Sequence, residues 1–417
     1  MPQLMQVEKM RVNEEAAGSA TYAVELSASL ANFKAVRYRT AQATLTTDML
    51  PDEHVNQTPY AQNLDIVSRR ACELSVETDL TPTGTGLAAA AVPAYTDHAL
   101  GIILKTILGG YEADQGDVEN GGTSTSSVMQ VTTSGARWEP GTAVGAIVGG
   151  VIEARSIESI AGNALTPRVQ FSGAPDNRAI VYNSHTFYLT DDPATSLQFV
   201  IETADRDDIW WLLGNQLSSL AFDLTVAQLA RMTIGLRGAK YLQDDEVANP
   251  LAVAEPAITR ATLTDGDPVP FVDSYAQFVT AASGATAITS LDVSAISVTP
   301  AITYEPITSP AGVNGIRRMK LRPAKPIMTV EFTIPFEDEA YWTQRDARTK
   351  KSLFVQVGNT PGGTALIDIP NLQIQNVQRS DSEGLHGLTV TAQALEDEWA
   401  TDQTTELRRS PLRLHLL

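Results

Sequence analysis

The chain has 417 residues, 43% of them hydrophobic, a formal net charge of -19 and one cysteine. That length suggests two domains or three, and the apolar content excludes wholesale disorder. The acidic balance repels nucleic-acid phosphates and excludes a sequence-reading DNA binder, while Cys72, alone among apolar neighbours, is a packing residue with no disulfide or thiol metal site to build.

The opening MPQLMQVEKMRVNEE lacks the apolar core of a secretion signal, so synthesis in a cytoplasm is expected. Residues 1–60 read as a strand-bearing N-terminal arm or a loosely attached subdomain, with one alternating stretch, FKAVRYRTAQATLT, from Phe33 to Thr46. From Asp65 the signals turn to β. In CELSVETDL, Leu74 and Val76 alternate with Glu73, Ser75 and Glu77, the mark of a half-exposed antiparallel strand. The following TPTGTGLAAAAVPAYTDHALGIILKTILGG is the most apolar run of the chain. Its Gly84-x-Gly86-x-x-Ala89 has the spacing of a dinucleotide fingerprint without the context, because the preceding strand is not buried on both faces and Pro93 would break the helix. Crossing a membrane takes about 20 uninterrupted apolar residues, and Pro93, Asp97, His98 and Lys105 divide this run. An amphipathic packing helix remains, capped by Thr96 or Asp97, with Leu100, Ile103, Leu104, Ile107 and Leu108 on one face and Gly109 as its left-handed stop.

EADQGDVENGGTSTSS, Glu112 to Ser127, has too few apolar groups to pack and reads as an exposed loop. Strands follow at SVMQVTT, PRVQFSG, TFYLTD, LQFVIETA, SSLAFDLTV and ARMTIGLRG. In DDIWWLLGNQ, adjacent strand residues face opposite sides, so one of Trp210 and Trp211 belongs to the core and the other to an interface. Asp244 to Pro270, rich in Pro, Ala and acids, is a linker. Strand signals resume at SLDVSAISVTPAITYEP, IMTVEFTIPFED, SLFVQVGN, ALIDIPNLQIQNVQR and HGLTVTAQALEDE. The basic, apolar ending ELRRSPLRLHLL fits either a contact with an acidic neighbouring subunit or a frayed terminus. The division is therefore 1–60, 61–243 with an insertion near 112–180, 244–270, 271–400 and 401–417. The two large parts share an order. LSVET leads to a helix and later to GLRG; TVEFTI leads to PFEDEAYWTQRD and later to GLHG.

The chain holds no G-x-S-x-G elbow, H-E-x-x-H pair or G-x-x-x-x-G-K-[ST] loop. His54, His98, His185, His386 and His415 lack ligand spacing; His98 is expected in the first turn of the helix and His386 in a turn. Asp191-Asp192, Asp207-Asp208 and Asp244-Asp245-Glu246 stand in polar turns, and TDGDP, Thr264 to Pro268, is half a calcium loop. The expectation is a protein that is not an enzyme, with no cofactor and no metal.

Three stretches carry a resemblance: ETDLTPTGTGL running into DHALGIILKTILGG; HTFYLTDDPATSLQFVIETA followed by LGNQLSSLAFDLTV; and the closing LIDIPNLQIQNVQRSDSEGLHGLTVTAQALEDE. From about Asp65 to Glu398 the chain resembles the tail tube (major tail) proteins of long, non-contractile-tailed, siphovirus-type phages, through patterns and not through invariant motifs. The resemblance implies a mainly β fold, a tail-tube-type β-sandwich or half-barrel with a flanking α-helix, here duplicated and assembling into a ring-shaped β-barrel. It also implies a structural virion protein, made in the host bacterial cytoplasm, that polymerises as stacked rings into the tail tube. DNA passes through without specific binding. The implied partners are further copies of the chain and the tape measure, tail terminator and distal tail proteins, with no membrane. Family members with one fold copy form hexameric rings, so a duplicated chain implies a trimeric, pseudo-hexameric ring.

For the lumen the expected residues are Glu73, Glu77, Glu331 and Glu396, on Cys72–Leu80, Thr329–Ile334 and Leu388–Glu396. Alternation shows two faces without saying which meets a lumen, and an ordinary solvated face fits the same pattern. Trp210, Trp211 and Trp342 are the candidate interface aromatics. Other readings fit too: a distal tail or tail-completion protein forming a single ring, or a carbohydrate-binding β-sandwich adhesin using Trp210 or Trp342.

Overall fold

The computed structural model describes residues 3–15, 33–50, 66–82, 94–113, 116–133, 137–182, 184–190, 195–203, 208–243, 246, 267–272, 274–280, 288–313, 316–335, 338–382, 385–397 and 405–417. The Gly84-x-Gly86 pattern, His54, Asp191-Asp192, Asp207, Asp244-Asp245 and most of the expected linker lie outside them. The first half begins with β1 (Gln3–Glu14), β2 (Lys34–Ala35), β3 (Thr40–Leu50) and β4 (Ile66–Asp79). Helix α1 (Ala99–Leu108) runs straight into β5 (Gly109–Ala113). A small unit follows, made of β6 (Asp117–Val118), β7 (Met129–Gln130), β8 (Ala143–Val148), β9 (Val151–Ala161), β10 (Ala164–Pro167) and β11 (Ile180–Val181). The half closes with β12 (His185–Leu189), β13 (Leu197–Thr203), β14 (Ile209–Thr225), β15 (Arg231–Gly238) and β16 (Lys240–Gln243). The second half contains β17 (Tyr275–Thr280), β18 (Ile288–Leu291), β19 (Ala295–Val313), β20 (Ile316–Ile334), α2 (Ala340–Asp346), β21 (Lys350–Val357), β22 (Ala365–Ser382) and β23 (Leu385–Ala394). Helix α3 (Glu406–Arg409) and β24 (Arg413–Leu416) end the chain.

The protein is mostly β, and its largest sheet forms a half-barrel. The central wall of that sheet is antiparallel throughout, in the order β3-β4-β15-β14-β19-β20-β23-β22. Its first four strands come from one half of the chain and its last four from the other. They meet where β14 pairs β19, from Phe222↔Val298 to Thr225↔Ala295. Strict alternation builds the wall: Leu74, Val76, Ile234, Leu236, Val298, Val330, Phe332 and Val390 are buried on one side, and their neighbours in sequence face the other.

β14 and β22 serve two layers each. Trp210–Leu213 of β14 pairs with β16, whereas Gln216–Asp223 pairs with β15 in the wall. Gly214, with φ of 69°, stands between the two stretches, a conformation that glycine adopts without the steric cost of a Cβ. In β22, Ala365–Ile369 pairs with β21 and not with β23, Leu372 and Gln373 with both, and the residues beyond with β23, the change beginning at Pro370. The fully buried Asn215 and Asn371 sit just beyond these two changes.

The second half repeats the pairing scheme of the first. β1·β13, β13·β14, β14·β15, β15·β4 and β4·β3 correspond to β17·β21, β21·β22, β22·β23, β23·β20 and β20·β19. The register corresponds as well, including a bulge between Leu217 and Ser219 that recurs between Ile374 and Asn376. LSVET and TVEFTI thus occupy matching positions. The two G-L-x-G sequences do not: Gly235–Gly238 ends β15, whereas Leu385–Gly387 begins β23, and His386 is in a strand instead of a turn.

Leu100, Ile103, Leu104, Ile107 and Leu108 of α1 are all buried, and so are Ala99, Ile102 and Thr106. The helix is therefore hidden on nearly every side, wider than an amphipathic stripe. Its N-cap is His98, with no side-chain cap bond, because Tyr95–Asp97 forms a 3-10 turn ahead of it. Gly109 ends it at φ 89° and donates to the Lys105 carbonyl. Lys105, the half-buried member, reaches out to Glu14 of β1 at 2.7 Å.

The small unit has its own core of Met129, Val131, Trp138, Val144, Ile157, Leu165 and Phe171. Only Met129–Gln130 of the expected strand SVMQVTT is β, PRVQFSG contributes Pro167 alone, and the long pair β8·β9 replaces them. Within Glu112–Ser127, Asn120–Thr123 and Thr125 are exposed as an open loop would be, but Glu119 is buried and its carboxylate, accepting from the backbone of Gly122, Ser124 and Arg178, pins that loop. The chain's end is likewise built in. β24 lies between β12 and β22, with Leu416 opposite both His185 and Ala365, and every residue of it is buried. Arg413–Leu416 is therefore not a frayed terminus, while Glu406 and Arg409 ahead of it stay exposed.

Because Leu104 is fully buried, Leu104→Asp is expected to abolish the folded protein by burying an unpaired charge. Ile103→Val is expected to cost about 0.5–1.5 kcal/mol. Thermal unfolding followed by circular dichroism checks both; a wild-type midpoint for Leu104→Asp would show that the helix is not docked as described.

Candidate assembly surface

The face of the wall opposite the core is polar, a mixture of hydroxyl side chains with glutamates, glutamines and arginines. Across β19, β20 and β23 the opposed residues are Thr299, Thr329 and Gln393, then Ser297, Glu331 and Thr391. Across β3, β4 and β15 they are Thr40, Glu77 and Thr233, then Thr44, Glu73 and Arg237. Glu73, Glu77 and Glu331 therefore share one face, as their alternation implies. Glu396 does not join them, because β23 ends at Ala394 and Glu396 is exposed in the segment that follows.

Two of these acids meet cations. Arg237 Nη2 is 3.1 Å from Glu73 Oε1, and Arg231 Nη1 is 3.7 Å from Glu77 Oε1. The exposed hydroxyl of Ser297 donates to Asp223 at 3.0 Å, across the β14·β19 seam. Such exposed pairs contribute little stability; their effect is to soften the field of the carboxylates. Arg231, Arg237 and Asp223 were not singled out by sequence, although the alternation of ARMTIGLRG already places Arg231, Thr233 and Arg237 together.

The wall has two unlike margins. Asn376–Ser382 of β22 pairs with β23 on one side, and among the described residues no strand pairs with its other side, since β21 and β24 reach only Gln373 and Asp368. At the opposite margin, β3 is covered over Gln42–Leu45 by the first residues of β1. Trp211 is buried edge-on against Phe33, and Trp210 is half-buried against Tyr241, so the pair does split between core and periphery. Trp342, on α2, is also half-buried against the core.

Behind the wall, four charges are taken wholly out of water. Arg413 of β24 bonds Asp368 of β22 at 3.1 Å and Asp397 at 2.8 Å; Arg168, from the small unit, bonds Asp397 at 2.6 Å and the Pro370 carbonyl at 3.1 Å. Ser156 of β9 donates to Asp368 at 2.6 Å. Two cations face two anions, so the burial is compensated. Gln356 of β21 adds a neutral clamp, accepting from the Ala154 amide at 2.8 Å and donating to the Ile152 carbonyl at 2.9 Å. The small unit, which belongs to the first half by sequence, is thus fastened to the second.

Other titratable groups have structural causes for their behaviour. Burial pushes the Cys72 thiol up and keeps it protonated, in accord with a packing role. Burial, helped by Arg413, holds His415 well below the usual histidine range and so neutral. Burial opposes ionisation of Asp117 and Glu119, yet donors from Val118, Thr132 and Thr133, and from Arg178, Ser124 and Gly122, hold both below the usual carboxylate values. Among the described residues no cluster of three His, Cys, Asp or Glu could hold a metal, and no helix is long and apolar enough to cross a membrane. Compared with known protein families the chain matches none, and no curated protein matches it.

Burial alone would raise the Asp397 carboxyl, but Arg413 and Arg168 outweigh it and hold it below its ordinary value. The stability from that depression is complete above the unfolded-state value of about 3.9. It is lost as pH falls through the lower folded-state value. Chemical denaturation at a series of acid pH values should show this decline, and Asp397→Asn should flatten it while costing about 3–5 kcal/mol near neutrality. An unchanged midpoint in the variant would show that the four charges do not hold the small unit and β24 in place.

Proposed function

We propose that this chain is a phage tail tube protein whose copies close into rings and stack into the conduit for genome delivery. One observation carries the reading: eight wall strands, four from each half, are joined side by side in a repeated register, apolar towards the core and polar on the other face. The repetition supports a duplicated fold, and a half-barrel with strand margins at both ends is completed by neighbouring copies. Three chains would then supply six equivalent four-stranded half-walls around a pseudo-six-fold axis.

In such a ring the polar face lines the lumen. Glu73, Glu77, Glu331 and Asp223 repel phosphates there, Arg231 and Arg237 are engaged by carboxylates, and the Thr, Ser and Gln between them offer DNA no strong hold. DNA therefore slides and does not bind specifically. The tape measure, tail terminator and distal tail proteins are the partners this role brings, and the virion tail is the location.

Negative-stain electron microscopy of the purified protein tests the reading. Hollow tubes or stacked rings with a central channel are expected. Single rings that never stack would favour a distal tail or tail-completion role, and chains that stay single at high concentration, alone and with tail initiators, would end the proposal.

A further inference from the structure

The seam inside the chain is a template for the seam between chains. β3·β4 matches β19·β20 residue for residue: Ala43↔Leu74 corresponds to Val298↔Val330, and Thr40↔Glu77 to Ala295↔Thr333. β14·β15 matches β22·β23 through their shared bulge, which makes Arg379 the counterpart of Phe222 and Ser382 that of Thr225. Within one chain, Phe222↔Val298 and Asp223↔Ser297 join the halves. The same operation carried forward pairs Arg379–Ser382 of one copy with Ala43–Thr40 of the next.

Two of those four receiving places on β3, Ala43 and Gln42, are already occupied. Gln3↔Leu45, Leu4↔Thr44, Met5↔Ala43 and Gln6↔Gln42 pair antiparallel on it, in the same sense as β14 on β19. Met5 and Gln6 hold the places that the repeat assigns to Arg379 and Ser380 of a neighbour. We propose that Gln3–Gln6 is a removable cap: it covers the β3 edge in the single chain and gives way to the Arg379–Ser382 edge of a second copy when rings close. This rests on the ring reading above.

The build of β1 permits the exchange. Its register shifts between Val7 and Lys9, and from Val7 onward β1 pairs with β13 in the other layer, with Met10 and Val12 buried. The first four residues can therefore leave β3 without releasing the rest of the strand. The cap also resolves an asymmetry, since an uncovered edge at each end of the wall would let chains pair without limit. The residues at the two seams differ accordingly. The internal one sets Phe222 and Leu224 opposite Val298 and Ile296; the external one sets Arg379 and Asp381 opposite Ala43 and Ala41, a polar junction that suits reversible closure.

Paired cysteines in a full-length Cys72→Ala background test the exchange, because directly opposed antiparallel residues lie within disulfide reach. Met5→Cys with Ala43→Cys should oxidise within the chain and hold it as a single species in sedimentation velocity, with assembly restored by reductant. Arg379→Cys with Ala43→Cys should instead oxidise between chains, giving a covalent series on non-reducing gels that ends at a closed trimer. A chain lacking residues 2–6, with an unchanged far-ultraviolet spectrum, should assemble faster. Assembly of the oxidised Met5–Ala43 chain at the wild-type rate, or rings that yield no Arg379–Ala43 link, would overturn the proposal. Linked trimers that never elongate would uphold the cap while ending the tail-tube reading. Tubes built from the locked chain would do the reverse, and single chains under every condition would end both.

Discussion

A strand's outer amides and carbonyls must find partners or stay in water, and the architecture here follows from how one long strand meets that demand. β14 joins β16 in one layer over Trp210–Leu213, enters the wall beside β15, and over Phe222–Thr225 takes on β19 from the other half. Without that last ladder the halves would be two four-stranded sheets with four margins. With it they form one wall with two. The apolar side of the wall then has a single continuous core to cover, which reaches from Phe33 and α1 to Ile374 and β24.

The four buried charges belong to a different layer of the same problem. Arg168, Asp368, Asp397 and Arg413 come from four separate segments, and each would be costly alone. Their mutual compensation is available only when the small unit, β22 and β24 are all in place. The quartet therefore supplies specificity of docking where the apolar core supplies most of the stabilisation, and it explains why so basic an ending as RLHL can be wholly buried in an acidic chain.

Where local chemistry decided the structure, the sequence was readable. The alternation of Leu74 and Val76 with Glu73 and Glu77, and of Val330 and Phe332 with Glu331, fixes two wall strands and the polar face they share. Gly109 stops α1 where its sequence marks a left-handed end. Where distant partners decided it, reading failed. β24 carries an arginine that looks solvated until Asp368 and Asp397 are beside it. β8 and β9, AVGAIV and VIEARSIESIA, bury residues on both sides under a unit folded back on another half, so their alternation is blurred. Glu396 was placed one segment too far because nothing local marks where β23 stops, and G-L-x-G recurs by sequence without recurring in register. Of the candidate surface, the face was legible and its margins were not, since a margin is defined by the strand that fails to arrive.

The net charge adds a constraint on how such chains can meet. Copies carrying -19 repel one another, and the wall face accounts for only a small share of that excess. At physiological ionic strength this repulsion is screened beyond about 8 Å. Strand pairing acts inside that range, at about 5 Å between backbones, and its hydrogen bonds do not depend on net charge. A contact made by strand edges can thus operate against the like charge that keeps single chains apart in solution, whereas a contact relying on broad electrostatic complementarity between identical acidic surfaces would have to overcome it. Under the ring proposal the same division would leave the polar face free of adhesive groups: contacts between copies would fall to the margins, and the surface between them would need only to stay wet.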